Sequence, residues 1–311
     1  MRILFMGTPA IAADSLAALC SAGHEICGVF TREDKPQGRK QILTAPPVKE
    51  YAITRNIPVF QPKNLRDAET HALIQTLAPA LIVVVAYGRI LPKEVLSIPP
   101  HGCINLHVSL LPQYRGAAPV QWAVINGETQ TGVSIMYLDE GLDTGDIIKV
   151  APLSIAEDET SGALFERISQ KGAETLLQAI DEIAQGKAVR TPQNHALATQ
   201  APPISKEMAY VDFGENAQKL HNLIRGMHPW PMAYFVHDGK RIKVVKAKAI
   251  TGQNGTPGQI LATKPLTVAC QNGALLLLEL VPEGAKPMSG EAWAAGKRFA
   301  AGDTLQECCK N

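Results

Sequence analysis

No two cysteines are spaced C-x-x-C. Six thiols, Cys20, Cys27, Cys103, Cys270, Cys308 and Cys309, are scattered over 311 residues. That pattern excludes a zinc ribbon and argues against a disulfide framework, so reduced thiols are expected. HExxH and EF-hand spacing are also missing, and no metal is expected. Long hydrophobic runs are missing too: the longest, Leu77 to Ala86, is interrupted by Pro79 and is about half the length of a membrane span. Met1 and Arg2 precede only a few apolar residues before Gly7, Thr8 and Pro9, so the hydrophobic region of a secretory signal is absent. These absences point to a cytoplasmic protein without a membrane partner. There is no internal repeat and no low-complexity tract.

What is present is ordinary for a folded chain: 46% hydrophobic and 19% charged residues, enough for two domains. Net charge is +1, but it is unevenly spread. Residues 205–311 carry 13 Lys+Arg against 9 Asp+Glu, a balance of +4, and residues 1–204 carry 17 against 20, a balance of −3. A basic second half hints at a polyanionic partner without deciding for one.

Short apolar runs at 2–6, 26–30, 81–85 and 103–108 alternate with helical spacing at 12–19 and 65–77. The alternation predicts an α/β domain with a Rossmann-like parallel sheet, whose chemistry belongs beyond the carboxyl ends of the strands. A helical segment near 161–185 closes this part, giving a domain over 1–189. Residues 190–205, with Thr191, Pro192, Pro202 and Pro203, read as a linker. The remainder, 206–311, offers one helix (216–225) and strand candidates at 241–247, 258–261, 266–270 and 274–280, which suggests a small OB-type β-barrel.

Gly7-Thr8-Pro9-Ala10 ends the first strand, but the G-x-G-x-x-G pattern is incomplete and a dinucleotide site is weakly supported. The stretch 105–112, NLHVSLLP, says more. On a strand over 103–108, Asn105 and His107 point to one face at the carboxyl end, because side chains alternate with period two. A second strand candidate, 132–138, leads into the loop Asp139-Glu140-Gly141-Leu142-Asp143-Thr144-Gly145-Asp146. Asp143 from that loop could hydrogen-bond the imidazole. Amide, imidazole and carboxylate suffice for acyl transfer without a covalent intermediate. Each also has a plain structural reading, as a packed histidine or as turn and cap residues.

Asn105-x-His107-x-Ser109-Leu110-Leu111-Pro112, followed by Gln113-Tyr114-Arg115-Gly116-Ala117-Ala118-Pro119 and Asp143-Thr144-Gly145-Asp146, resembles the folate-dependent formyltransferases. Met6-Gly7-Thr8-Pro9, Asp34-Lys35-Pro36-Gln37-Gly38-Arg39, Ala86-Tyr87-Gly88 and His228-Pro229-Trp230-Pro231 extend the resemblance over residues 1 to about 298, toward the members that act on methionyl-tRNA. It implies 10-formyltetrahydrofolate as formyl donor, initiator methionyl-tRNA as acceptor, a catalytic group of Asn105, His107 and Asp143, and a monomer needing no metal. The folate pocket would be lined by Ala86, Tyr87, Gly88 and Ile90, by Ser109, Leu110, Leu111 and Pro112, and by Asp139 and Gly141. Contact with tRNA would come from Lys35, Arg39 and Lys40 in an early loop, from Lys206, and from Arg241, Lys243 and Lys246. Two stretches depart from the pattern: Lys40-Gln41-Ile42, where a more uniformly basic run is usual, and Pro203-Ile204-Ser205-Lys206, where a lysine commonly precedes the isoleucine. Lysines alternating with apolar residues at 240–248 also fit a solvated edge strand. A sister enzyme acting on a small amine, and an RNA-binding module without activity, remain as alternatives.

Overall fold

The computed structural model describes residues 1–38, 41–253 and 255–305. Cys308 and Cys309 lie outside the described residues, and Cys20, Cys27, Cys103 and Cys270 are free thiols. No helix among the described residues is long and apolar enough to cross a membrane. The chain forms two compact units. The first holds Met1–Gly116, Thr131–Leu153 and Glu166–Ala201; the second holds Ala117–Gln130, Ser154–Phe165 and the chain from Pro202 on.

The first unit is built on a seven-stranded sheet in the order Ile147–Ser154, Gln130–Tyr137, Cys103–His107, Leu81–Val85, Arg2–Gly7, Glu25–Phe30, Val59–Phe60. Leu81–Val85 is buried at every position. It is apolar throughout because a central parallel strand is covered on both faces. The five strands from Arg2 to His107 pair in parallel, and helices Ala10–Ser21, Pro47–Thr54 and Ala68–Leu77 lie between them in the chain. Asp67 caps the last of these, its Oδ1 accepting from the Thr70 N–H at 2.7 Å. In chain order the parallel strands run third, second, first, fourth, fifth, so strand order reverses between Arg2–Gly7 and Leu81–Val85. The carboxyl ends beside that reversal are where a doubly wound sheet binds ligands. Gln130–Tyr137 pairs antiparallel to Cys103–His107, which makes the sheet mixed at this edge.

Gly7 has a packing reason rather than a phosphate-binding one. A Cβ there would lie 2.6 Å from the Ala12 Cβ and 2.9 Å from the Val85 carbonyl oxygen. The missing side chain lets the first helix and the neighbouring strand close on this one, as a plain strand-to-helix turn requires.

The second unit carries an antiparallel half-barrel sheet. Its order is Tyr234–His237, Lys240–Ile250, Ala274–Pro282, Leu266–Ala269, Ile260–Thr263, with Met288–Ser289 also on Ala274–Pro282. Phe235 packs at ring-centroid distances of 5.6 Å from Phe213 and 5.7 Å from Trp293, within a core that includes Leu220 and Ile224 of the helix Ala217–Gly226. That helix also holds the two early segments of the unit. Gly226 leaves room for the Ile125 side chain, and a Cβ at Gly127 would meet the Asn222 amide at 2.6 Å. Arg225 Nη1 donates to the Glu159 carbonyl at 3.3 Å while its Nε and Nη2 donate to Asn222 Oδ1.

Lys240–Ile250 is the longest strand among the described residues, and its cations stay outside by means of a bulge. Ile242, Val244 and Ala247 are buried whereas Arg241, Lys243, Lys246 and Lys248 are exposed. Strict alternation would bury Lys246. The register against Ala274–Pro282 slips between Val244 and Lys246 and again before Ala247, and the extra residue resets the alternation.

Candidate active site

Asn105 and His107 lie on Cys103–His107, opposite Met136 and Ser134 of the antiparallel neighbour. Period two puts their side chains on one face. His107 is buried, and its Nε2 lies 2.9 Å from the Tyr114 carbonyl oxygen. A carbonyl only accepts, so Nε2 carries a proton and Nδ1 is the nitrogen left for exchange. Nδ1 lies 3.7 Å from Asp143 Oδ2. That is longer than the hydrogen bond expected from the sequence: with the proton on Nε2, Nδ1 has none to donate to the carboxylate, and Oδ2 accepts instead from the Gly116 N–H at 2.8 Å. Asp143 Oδ1 and the Asn105 amide accept or donate no hydrogen bond among the described residues, so both are free for a ligand. The structure therefore brings Asn105, His107 and Asp143 to one end of the sheet.

Asp143 has a left-handed backbone, φ +53°, a conformation that costs a non-glycine residue about 1 kcal/mol or more. The surrounding loop is closely fitted. A Cβ at Gly145 would overlap the Tyr137 carbonyl oxygen. Asp139 Oδ1 accepts from the Gly141 N–H at 3.0 Å and from the Thr144 hydroxyl at 2.6 Å, which ties the two ends of the turn together.

The segment 190–201, part of the stretch read as a linker, packs on this loop. Thr191 pairs with Ile147. Gln193 is buried; its Nε2 donates to the carbonyls of Asp143 at 3.0 Å and Gly145 at 2.8 Å. Its Oε1 accepts from the buried Arg115, from Nη2 at 2.5 Å and from Nε at 3.2 Å. Thr199 Oγ1 accepts from the Tyr114 N–H at 2.8 Å, and Gln200–Ala201 pairs in parallel with Arg115–Gly116. Gly116, at φ +118°, permits this approach, since a Cβ there would lie 2.8 Å from the Ala201 carbonyl oxygen. Sequence reasoning missed Tyr114, Gly116 and Gln193. The first two act through backbone atoms and the third sits where no periodicity marks it.

The remaining residues expected around a ligand divide by exposure. Ala86 and Gly88 have left-handed backbones, φ +45° and +77°, and are exposed, as is Ile90. Between them the Tyr87 ring is buried among Leu4, Met6 and Phe30, where burial pushes its hydroxyl pKa up. The Tyr87 carbonyl accepts from the Thr8 hydroxyl at 3.3 Å, so the exposed Ala86 and Gly88 are what this turn presents. Ser109 is buried and its hydroxyl donates to the Gln113 carbonyl at 2.6 Å, while Leu111 is buried and Leu110 and Pro112 are half-buried. Asp139, Gly141 and the apolar Leu142 are exposed. No group of three or more His, Cys, Asp or Glu able to hold a metal occurs among the described residues.

The formyl transferase family matches residues 1–180, and the formyl transferase C-terminal domain matches residues 203–298. The methionyl-tRNA formyltransferase of Geobacter sulfurreducens is 45% identical over 309 residues, which cover 99% of this chain and 97% of that protein. The chain belongs to the methionyl-tRNA formyltransferase family. The family member from Pelotomaculum thermopropionicum is 42% identical, with 99% of this chain and 100% of that protein covered. A crystal structure of the N-formyltransferase from Helicobacter canadensis, in complex with folinic acid and dTDP-3-aminofucose, shares the fold. Its TM-score is 0.68 at 18% identity, with 93% of this chain and 100% of that chain covered.

In this formyltransferase chain Lys35 is exposed on a short antiparallel hairpin, Lys35–Gln37 with Ile42–Thr44. Arg39 and Lys40 lie outside the described residues. At the hairpin's base Lys49 Nζ donates to both Asp34 oxygens, at 2.8 and 2.9 Å, and Gln61 Nε2 donates to Asp34 Oδ1 at 2.9 Å. In the second unit Lys206 is exposed, and the Arg241 guanidinium lies 4.8 Å from the Tyr234 ring centroid. Lys248 pairs with Asp158 at 3.5 Å. Lys243 and Lys246 are exposed and form no ion pair among the described residues.

Proposed function

We propose that the chain transfers a formyl group from 10-formyltetrahydrofolate to the α-amino group of methionyl-initiator tRNA, giving N-formylmethionyl-tRNA for translation initiation. The observation that carries this reading is the free Asn105 amide beside His107 and Asp143 at the carboxyl end of the sheet, in a chain of this family. The donor set suits a folate: exposed Ile90 and Leu142 offer apolar contact, and the exposed Ala86 and Gly88 offer backbone polar contact. The folate supplies the formyl group, carried on N10. Asn105 donates to the formyl oxygen as negative charge develops there, an interaction stronger in the transition state than before it. The amine nitrogen bonds to the formyl carbon as the bond to N10 breaks; the amine gives up one proton and N10 gains one. Asp143 Oδ1, the oxygen not held by Gly116, receives the amine proton directly or through water, and His107 Nδ1 is the exchanging nitrogen beside it.

On this reading the first unit, with 190–201 packed on its carboxylate loop, carries the chemistry, and the second unit meets the tRNA. Lys206, Arg241, Lys243 and Lys246 neutralise phosphates there, as do Lys35, Arg39 and Lys40 from the early loop. The exposure of Lys243 and Lys246, without an ion pair among the described residues, supports phosphate contact. A cytoplasmic monomer fits, since charged tRNA is used where ribosomes work and all three polar groups come from one chain. The test is transfer of labelled formyl from 10-formyltetrahydrofolate to methionyl-tRNA, with uncharged tRNA and a small amino compound as controls. Label in the charged tRNA alone is expected; label only in the small amine would overturn the reading.

A further inference from the structure

Gln193 has every hydrogen-bonding position filled. Its two N–H groups span the carbonyls on either side of Thr144, and its oxygen takes two bonds from Arg115. The residues at the two ends of this bridge are those that fix the acid–base pair. Asp143 is held in a left-handed conformation that the chain does not favour by itself. Arg115 sits between Tyr114, whose carbonyl receives the His107 Nε2–H, and Gly116, whose N–H holds the Asp143 carboxylate. One side chain from outside both segments thus ties the carboxylate loop to the turn that orients the imidazole.

We propose that Gln193 is a positioning residue for the transfer: its amide N–H groups hold the Asp143–Gly145 backbone, and through it the Asp143 carboxylate, in register with His107. This rests on the formyl-transfer reading. The buried Arg115 guanidinium has Gln193 and the His195 ring, at 3.1 Å from Nη2, as side-chain partners, so Gln193 serves two ends that substitution can separate. Gln193→Glu keeps an acceptor for Arg115, now as a charge pair, but loses both donors to the loop. Gln193→Met fills similar volume and loses both.

The experiment compares wild type, Gln193→Glu, Gln193→Met and His107→Ala, full-length, by steady-state transfer to methionyl-tRNA and by thermal melting. Positioning through the N–H groups lowers kcat in both Gln193 variants by about ten- to a hundredfold, the cost of a carboxylate displaced by a fraction of an ångström to an ångström. KM for folate and tRNA stays within about twofold, and Glu melts above Met because Arg115 keeps its acceptor. A Gln193→Glu enzyme with wild-type kcat overturns the proposal, as does a loss of kcat that follows melting temperature across the series. If Glu does not fold, the kcat and KM of Met alone decide by the same criterion. Should wild type itself transfer nothing, the formyl-transfer reading fails first; wild-type activity abolished in His107→Ala and untouched in Gln193→Glu sinks the Gln193 role alone.

Discussion

The Gly116 N–H donates to the same Asp143 oxygen, Oδ2, that faces His107 Nδ1, at 2.8 Å and 3.7 Å respectively. One oxygen is thereby fixed in place, and the other accepts no hydrogen bond among the described residues. An anchored carboxylate with one unengaged oxygen is pre-organised to accept a proton without first giving up a bond.

His107→Ala removes the exchanging nitrogen. Asp143→Asn keeps an oxygen for Gly116 but loses the proton acceptor. Each should lower kcat by about 10²–10⁴-fold while melting temperature moves by only a few degrees. Purified variants assayed for transfer and by circular-dichroism melts check this; near-wild-type turnover in both would remove the two residues from the chemistry.

Gly145→Ala puts a methyl group into the Tyr137 carbonyl. Because the obstacle is backbone rather than a flexible side chain, the loop must move. A stability loss of about 1–3 kcal/mol is expected, with transfer activity falling further than stability alone explains. Urea unfolding and kcat measured on the same preparation test the pairing.

Hydrogen bonds from Lys49 and then Gln61 hold the Asp34 carboxyl below its ordinary value of 3.8. A carboxyl lowered by folding contributes stability that is complete above its unfolded pKa and is lost as pH falls through the lower folded one. Asp34→Asn should therefore melt below wild type at neutral pH, and the gap should close in acid, below the usual carboxylate range. A gap that stays constant with pH would show that the charge on Asp34 contributes nothing.

Much of this was legible in the sequence, for identifiable reasons. Asn105 and His107 fall two residues apart on a strand, so alternation alone puts them on one face. Asp143 stands among several carboxylates in a Gly-containing loop, and it was the resemblance carried by Asp143-Thr144-Gly145-Asp146 that set it apart. Tyr114 and Gly116 contribute backbone atoms, which any residue type carries, and Gln193 follows Pro192 in a stretch with no periodicity. Gly7 invited a phosphate-binding reading because the sequence shows a glycine but not what it lies against. The bulge in Lys240–Ile250 left one trace, the doublet Val244-Val245, where alternation breaks.

Lys243 and Lys246 share the outer face of that strand and form no ion pair among the described residues. If each neutralises a phosphate, Lys243→Ala and Lys246→Ala should weaken methionyl-tRNA binding and reduce the log–log salt slope by about one each, leaving kcat at saturation unchanged. Binding titrations between low and moderate salt give the slopes; unchanged slopes in both would assign the lysines to guarding a solvated strand.

The chain enters and leaves the C-terminal unit through two early segments, 117–130 and 154–165, before committing to it at Pro202. Gly226 beside Ile125, Asn222 beside Gly127 and Arg225 on Glu159 are contacts between pieces far apart in the sequence. The unit is consequently not a cassette that a single cut could detach or a single fusion transplant. A protease that nicked the chain near Pro202 would separate no self-sufficient half, and recombination preserving this unit would have to carry three stretches of gene together.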